Sequence, residues 1–171
     1  MEMVVAETVG EVEVLRQMAR MIHGVVRRCA DGFSQEESLV APEGGGNCLN
    51  WVMGHLLHVY NNALPAIGQA RVMEKETTVR FKRGAAGLDA TDEAMEMAEM
   101  MAAWDEVANR VDAGLAGLTV EGLDAPAPFS PSNNPKETVR TLLTTILFHQ
   151  AYHAGQVGLL RRIAGKPGAI G

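Results

Sequence analysis

Residues 135–164 read PKETVRTLLTTILFHQAYHAGQVGLLRRIA, and their apolar positions recur at helical spacing. Val139, Leu142, Ile146, His149, His153, Val157 and Leu160 fall within about 80° of arc at 100° per residue, which is one face of an α-helix. Asn134 suits the N-cap, with Pro135 at the first helical position and Glu137 at the third. Arg161 and Arg162 occupy the last turn and Gly165 stops it. Two histidines therefore stand in a stripe otherwise aimed at a core. An inward histidine must find a partner, because an unpaired buried polar group costs on the order of 1–3 kcal/mol. His149 and His153 are either core residues bonded to each other or to backbone, or a pair that grips one metal ion.

Three more segments carry the same period. One opens at Thr8 with Glu11 three residues on, a capping-box pattern, and continues through Val12, Leu15, Ala19, Ile22, Val26 and Cys29 to Asp31-Gly32. The next follows the flexible run PEGGGN with Asn47 or Asn50 as cap. Its stripe is Leu49, Val52, Leu56, Val59 and Ala63, and it ends around Pro65 to Gly68. The third starts at Thr91, with Asp92 and Glu93 in its first turn, and runs through Met97, Met101, Trp104, Ala108, Val111, Leu115 and Leu118. Met95 and Met100 lie off that stripe, leaving apolar surface for association. Between the helices, residues 71–90 form a polar connection in which TTVRF (77–81) reads as a short extended piece, and 121–135 form a Pro-rich loop. Four helices with one narrow stripe each predict an all-α four-helix bundle, one domain over residues 1–171.

Composition narrows the function. The chain has 171 residues, 47% hydrophobic and 21% charged, with 10 Met and only 5% aromatics, a mix that favours helices over strands. A net charge of −6 without a basic patch argues against a nucleic-acid partner. Two cysteines are too few for a disulfide scaffold, with Cys29 expected in the core and Cys48 at a loop edge. The N-terminus lacks the basic region of a signal peptide, and no apolar run reaches the roughly 18 residues of a membrane span. The expectation is a soluble cytoplasmic protein with no membrane partner.

A third metal ligand is available in NWVMGHLLHVYNN (50–62). His55 lies about 60° from the Val52–Leu56–Val59 axis, and His58 competes with it on the same side. Either one, joined to His149 and His153, would make a three-His site with an open position for water, the coordination of a catalytic rather than a structural site. Gln150 stands where an H-E-x-x-H metalloprotease would carry its glutamate base, so that arrangement is excluded. His23 reads as a surface or edge residue, Trp51 and Trp104 as core or pocket wall. Gln156 either bonds a ligand or packs on a neighbouring helix.

These residues carry a resemblance. W-x-x-G-H-L (Trp51, Gly54, His55, Leu56), H-x-x-x-H-x-G-Q (His149, His153, Gly155, Gln156) and the closing LLRRIAGKPG resemble the DinB/YfiT-like metalloenzymes, damage-inducible four-helix-bundle proteins. The likeness covers nearly the whole chain, and the two histidine motifs are far more specific together than apart. It implies up-down-down-up helix order and a homodimer. It also implies a divalent metal, zinc or nickel, held by His55, His149 and His153, which favours His55 over His58. Characterised relatives include transferases that use low-molecular-weight thiols and a thiol-dependent maleylpyruvate isomerase. The expected activity is thus a thiol-dependent S-transferase acting on a small electrophile. Hydrolysis by metal-bound water and a non-catalytic metal-binding bundle are the alternatives. Nothing in the sequence marks a thiol subsite or a general base.

Overall fold

The structure of the protein, a computed structural model, describes residues 10–88 and 94–170. Seven α-helices follow one another among these residues: α1 (Glu11–Ala30), α2 (Gln35–Ser38), α3 (Leu49–Ala63), α4 (Lys75–Thr78), α5 (Met97–Ala116), α6 (Val120–Asp124) and α7 (Val139–Ile163). Short 3-10 turns extend α3 over Leu64–Ile67 and α4 over Val79–Phe81. The described residues form no strand, only an isolated bridge between Pro126 and Thr138, so the fold is all-α. No helix among them is long and apolar enough to cross a membrane.

In α1, Glu11 and Glu13 in the first turn and Arg27 and Arg28 in the last both complement the helix dipole. Its N-cap is Gly10, without a side-chain bond, and the Thr8 of the expected capping box lies outside the described residues. Leu15, Ala19, Ile22, Val26 and Cys29 are buried as the period predicts. His23 is buried as well, at 6% exposure, and is not a surface or edge residue. α1 packs against both α5 and α7, so its covered sector is wider than one stripe. Tyr60 and Trp104 enclose the imidazole at ring distances of 5.0 and 5.2 Å.

α3 is buried on nearly every side, because the segments after it fold back over the face a stripe would leave to solvent. Its N-cap is Cys48, at the edge of the preceding loop as expected, and buried. Asn50 does not cap the helix. Its buried amide donates to the Met95 carbonyl at 2.7 Å. TTVRF is helical instead of extended, running from α4 into the following turn, and it buries Thr78 and Phe81 completely against α3.

The start of the third long helix expected at Thr91 to Glu93 lies outside the described residues, and α5 begins at Met97 after Glu96. Its buried row is Met97, Met100, Trp104, Val107, Val111 and Leu115, because α5 must cover both α1 and α3. Met95 and Met100 are therefore core residues, at 8% and 0% exposure, and supply no surface for association.

α7 begins later than Asn134-Pro135 suggests. Thr138 is the N-cap, in a capping box with Thr141. The preceding residues are drawn into loop contacts: Ala127 N–H donates to the Glu137 carbonyl at 2.9 Å and Val139 N–H to the Ala125 carbonyl at 3.0 Å. Glu137, nearly buried, accepts from the hydroxyls of Ser130 and Thr141. At the far end Gly165 takes a positive φ of 72°, the stop that the sequence indicates.

The four long helices contact one another in pairs, α1 with α5 and α7, and α3 with the same two. Named ties fix their registers. Arg140 of α7 bonds Glu11 at the start of α1, and Arg161 donates to the Cys29 and Asp31 carbonyls at its end. Arg16 forks onto Asp112 of α5 at 2.8 and 2.7 Å, while Arg27 reaches Asp105.

Candidate metal centre

α3 and α7 face each other across the interior with His55 on one and His149 and His153 on the other. Their ring centroids lie 5.0 Å (His55–His149), 4.9 Å (His55–His153) and 4.4 Å (His149–His153) apart. One nitrogen from each falls within 4.8 Å of the others, a group that could hold a metal ion. His58, the competitor for the third place, is not part of it. Its Nδ1 pairs with Thr78 Oγ1 at 3.2 Å and its Nε2 accepts from the Asn62 amide at 3.2 Å. His23 lies elsewhere, between Tyr60 and Trp104. The cluster contains neither cysteine.

The second nitrogens show how the rings are prepared. His55 Nδ1 lies 2.6 Å from the Phe81 carbonyl, which can only accept, so Nδ1 carries the proton and Nε2 presents a lone pair. His153 Nδ1 likewise donates to Gln156 Oε1 at 2.6 Å, leaving its Nε2 free. His55 Nε2 and His149 Nε2 stand 3.0 Å apart. Three nitrogens around a tetrahedral zinc would be separated by about 3.3 Å, given bonds of about 2.0–2.1 Å. Burial lowers the pKa of all three imidazoles, that of His149 to about 4, so the neutral, ligating form prevails at pH 7. His149 Nδ1 is buried with no partner among the described residues. Donor type, tautomer and spacing all fit a divalent cation.

Each residue of the W-x-x-G-H-L motif has work at this site. Trp51 stacks on His55 at 5.1 Å with 19° between the planes, and its indole N–H donates to the Ala86 carbonyl at 2.9 Å. Gly54 leaves room for Phe81: a Cβ there would lie 2.5 Å from the Phe81 ring. The Leu56 carbonyl accepts from the buried Gln150 amide at 3.0 Å. Gln150, the residue in the place of a metalloprotease glutamate, thus clamps α7 to α3. Gln156 orients His153. Gly155 faces open space, and nothing at the site requires it to be glycine.

Beside His55 and His149 opens a cavity of about 360 Å³. Val59, Ile146, Phe129 and Pro131 supply apolar walls, and His58, Asn62, Thr145, Lys82 and Arg83 the polar ones. Sequence reasoning missed Phe81, Lys82, Arg83 and Phe129. The role of Phe81 is carried by its backbone carbonyl, which no side-chain pattern reveals, and the other three sit on loops that carry no period.

No curated protein matches the chain significantly. Among solved structures, one described as a conserved protein from Enterococcus faecalis superposes with a TM-score of 0.67 at 14% identity, covering 93% of this chain and 100% of its own. At that identity the likeness is one of fold. The family model of the DinB superfamily matches residues 15–157, which include both histidine motifs, and the chain belongs to that superfamily.

Proposed function

We propose that the protein is a divalent-metal-dependent enzyme that joins a low-molecular-weight thiol to a small electrophile, with His55, His149 and His153 as the metal ligands and zinc or nickel as the ion. The observation that carries this reading is the convergence of three imidazoles, two with their outer nitrogens already engaged by Phe81 and Gln156, beside a cavity. Three neutral protein ligands leave positions open for exogenous groups, as catalytic sites do. A bound divalent ion would supply Lewis acidity sufficient to hold a thiol as thiolate at neutral pH. Phe81 and Gln156 keep His55 and His153 in the ligating tautomer. Val59, Ile146 and Phe129 shed water from the ligand's apolar part.

The same reading takes the four long helices as a single-domain up-down-down-up bundle. It is supported by ties that join like ends of α1 and α7 (Glu11 with Arg140, Cys29 with Arg161) and opposite ends of α1 and α5 (Arg16 with Asp112, Arg27 with Asp105). We place the protein in the cytoplasm as a homodimer. Association is favoured by the outer side of α7, which carries no charged residue from Thr141 to Leu160 and exposes Phe148, Tyr152 and Leu159 at 73%, 61% and 58%. Light scattering should give twice the 18.4 kDa chain mass, and an 18 kDa particle at micromolar concentration contradicts the dimer.

The activity is tested by incubating zinc-loaded protein with a small thiol and an activated aryl chloride. Consumption that needs protein, metal and thiol together, and that His149→Ala abolishes, supports the reading. Ester cleavage without any thiol would replace it with metal-dependent hydrolysis. Metal binding with no turnover of either kind would leave a non-catalytic metal protein.

A further inference from the structure

The cavity beside the histidines is basic in a chain whose net charge is −6. Among the described residues its charged lining consists of Lys82 and Arg83, with no carboxylate. Both side chains are solvent-exposed, and neither has an ion-pair partner among the described residues. Elsewhere arginines are spent on structure: Arg16 and Arg20 on Asp112, Arg110 on Glu106, Arg140 on Asp124. The pair is also held in place. Phe81, immediately before it, is fully buried with its carbonyl on His55 Nδ1, and the Ala85 N–H closes a turn onto the Lys82 carbonyl at 3.1 Å. Gly84 takes a φ of 80° in that turn, a conformation glycine permits at no steric cost. The backbone segment that fixes the tautomer of His55 thus sets two unpartnered cations at the same cavity.

We propose that this cavity selects a small anionic ligand, and that Lys82 and Arg83 bind its carboxylate or phosphonate group while the remainder extends toward His55 and His149. The inference rests on the proposed function for what the ligand does there, but the charge preference belongs to the cavity itself. The imidazoles of His55, His58 and His149 in the lining carry no negative charge that could cancel the two cations, and an anion in a cleft with apolar walls feels their field more strongly than in bulk water. The guanidinium of Arg83 offers the planar fork that a carboxylate or phosphonate accepts, and Lys82 a compact charge beside it. Val59, Ile146 and Phe129 suit a short apolar linker. The volume lies at the small end of ligand sites, which points to a metabolite-sized acid rather than a peptide.

The test is an NMR titration of the folded protein, metal-free and zinc-loaded, with succinate, 3-phosphonopropionate and the neutral succinamide. Succinate should bind at least tenfold more tightly than succinamide in both forms, shifting the amides of residues 82–85. Lys82→Met and Arg83→Met should each weaken succinate binding about tenfold and leave zinc content unchanged. The ratio of 3-phosphonopropionate to succinate affinity tells which anion the pair prefers. Equal affinity for succinate and succinamide, or unchanged succinate binding in the double variant, overturns the proposal. Because the metal-free arm reads the charge preference alone, protein that fails to take up zinc yet still discriminates succinate from succinamide counts against the metal reading and not against this one.

Discussion

Gly54→Ala adds one methyl group at the most crowded point near the histidines. An ideal Cβ at Gly54 lies 2.5, 2.6 and 2.7 Å from three atoms of the Phe81 ring. Carbon atoms in contact sit about 3.5–4.0 Å apart, so the ring must retreat by roughly 1 Å. Phe81 is 1% exposed and has no open direction in which to move. Overpacking of this kind costs about 1–3 kcal/mol, while alanine gains about 1 kcal/mol over glycine in a helix interior. The net expectation is a destabilisation of about 0–2 kcal/mol in urea unfolding of the metal-free protein. The larger effect falls on the metal. Moving Phe81 displaces the carbonyl that holds His55 Nδ1 at 2.6 Å, and loss of such an outer partner lowers metal affinity roughly 10–100-fold. Zinc affinity measured by competition with a chromophoric chelator reads this directly. Gly24→Ala in α1 is the control, since its Cβ meets only the movable end of Arg28 at 3.2 Å. It should stabilise by up to about 1 kcal/mol and leave zinc binding alone. A Gly54→Ala protein that gains stability and binds zinc like wild type refutes the packing argument and the role given to Phe81.

Gln156→Leu removes the acceptor of His153 Nδ1 with little change in volume, so zinc affinity should fall about 10–100-fold while the helical circular dichroism is retained; unchanged affinity would make Gln156 a packing residue. His23 is held neutral by burial, its pKa pushed down to about 4 against a weak opposing pull from Asp112. The unfolded chain takes up this proton near pH 6.5, so stability is unaffected above that pH and falls as pH drops from 6.5 toward 4, by about 3 kcal/mol in all. His23→Leu should gain on wild type by that amount between pH 7 and pH 4 in denaturant titrations, and parallel pH profiles for the two proteins would show that His23 does not carry the linkage. Thr138→Ala should cost about 0.5–2 kcal/mol through the lost capping box of α7, whereas Asn134→Ala should cost α7 nothing as a cap, an ordering that chemical denaturation would reverse if the helix began at Pro135.

The sequence made the helices legible where a helix presents one face to the core and failed where it presents more. Leu15, Ala19, Ile22, Val26 and Cys29 of α1 and Val139, Leu142, Ile146, Val157 and Leu160 of α7 are buried as their period requires. α3 is covered on almost all sides, so a stripe was the wrong template for it, and the rotation of α5 toward Met100 and Val107 depends on covering two helices at once. His23 escaped for the same reason. Asn134-Pro135 is a strong local start signal for α7, but the backbone bonds that tie Glu137 and Val139 to residues 125–127 override it. At the candidate site, His149 and His153 stood out because two imidazoles interrupt an apolar stripe. Helical spacing alone did not separate His55 from His58. The separation comes from Thr78 and Asn62, which engage His58, and from Phe81, which turns His55 toward α7. Those partners lie on segments whose folding only tertiary contacts decide.

Metal content of the purified protein shows whether one divalent ion sits on His55, His149 and His153. Protein grown and purified with zinc or nickel supplied, and without chelator, is analysed by mass spectrometry of the metals for wild type and for His55→Ala, His149→Ala, His153→Ala and His58→Ala. We predict about one ion per chain in wild type and in His58→Ala, and a large loss in each of the other three, with affinity falling only as pH drops below the ordinary histidine value of 6.5 toward the lowered pKa of His149 near 4, where protons compete for the ligating nitrogens. Near-zero metal in wild type, or an unchanged stoichiometry after loss of His55, His149 or His153, would contradict the metal site and leave the three imidazoles as a polar cluster in a helical core.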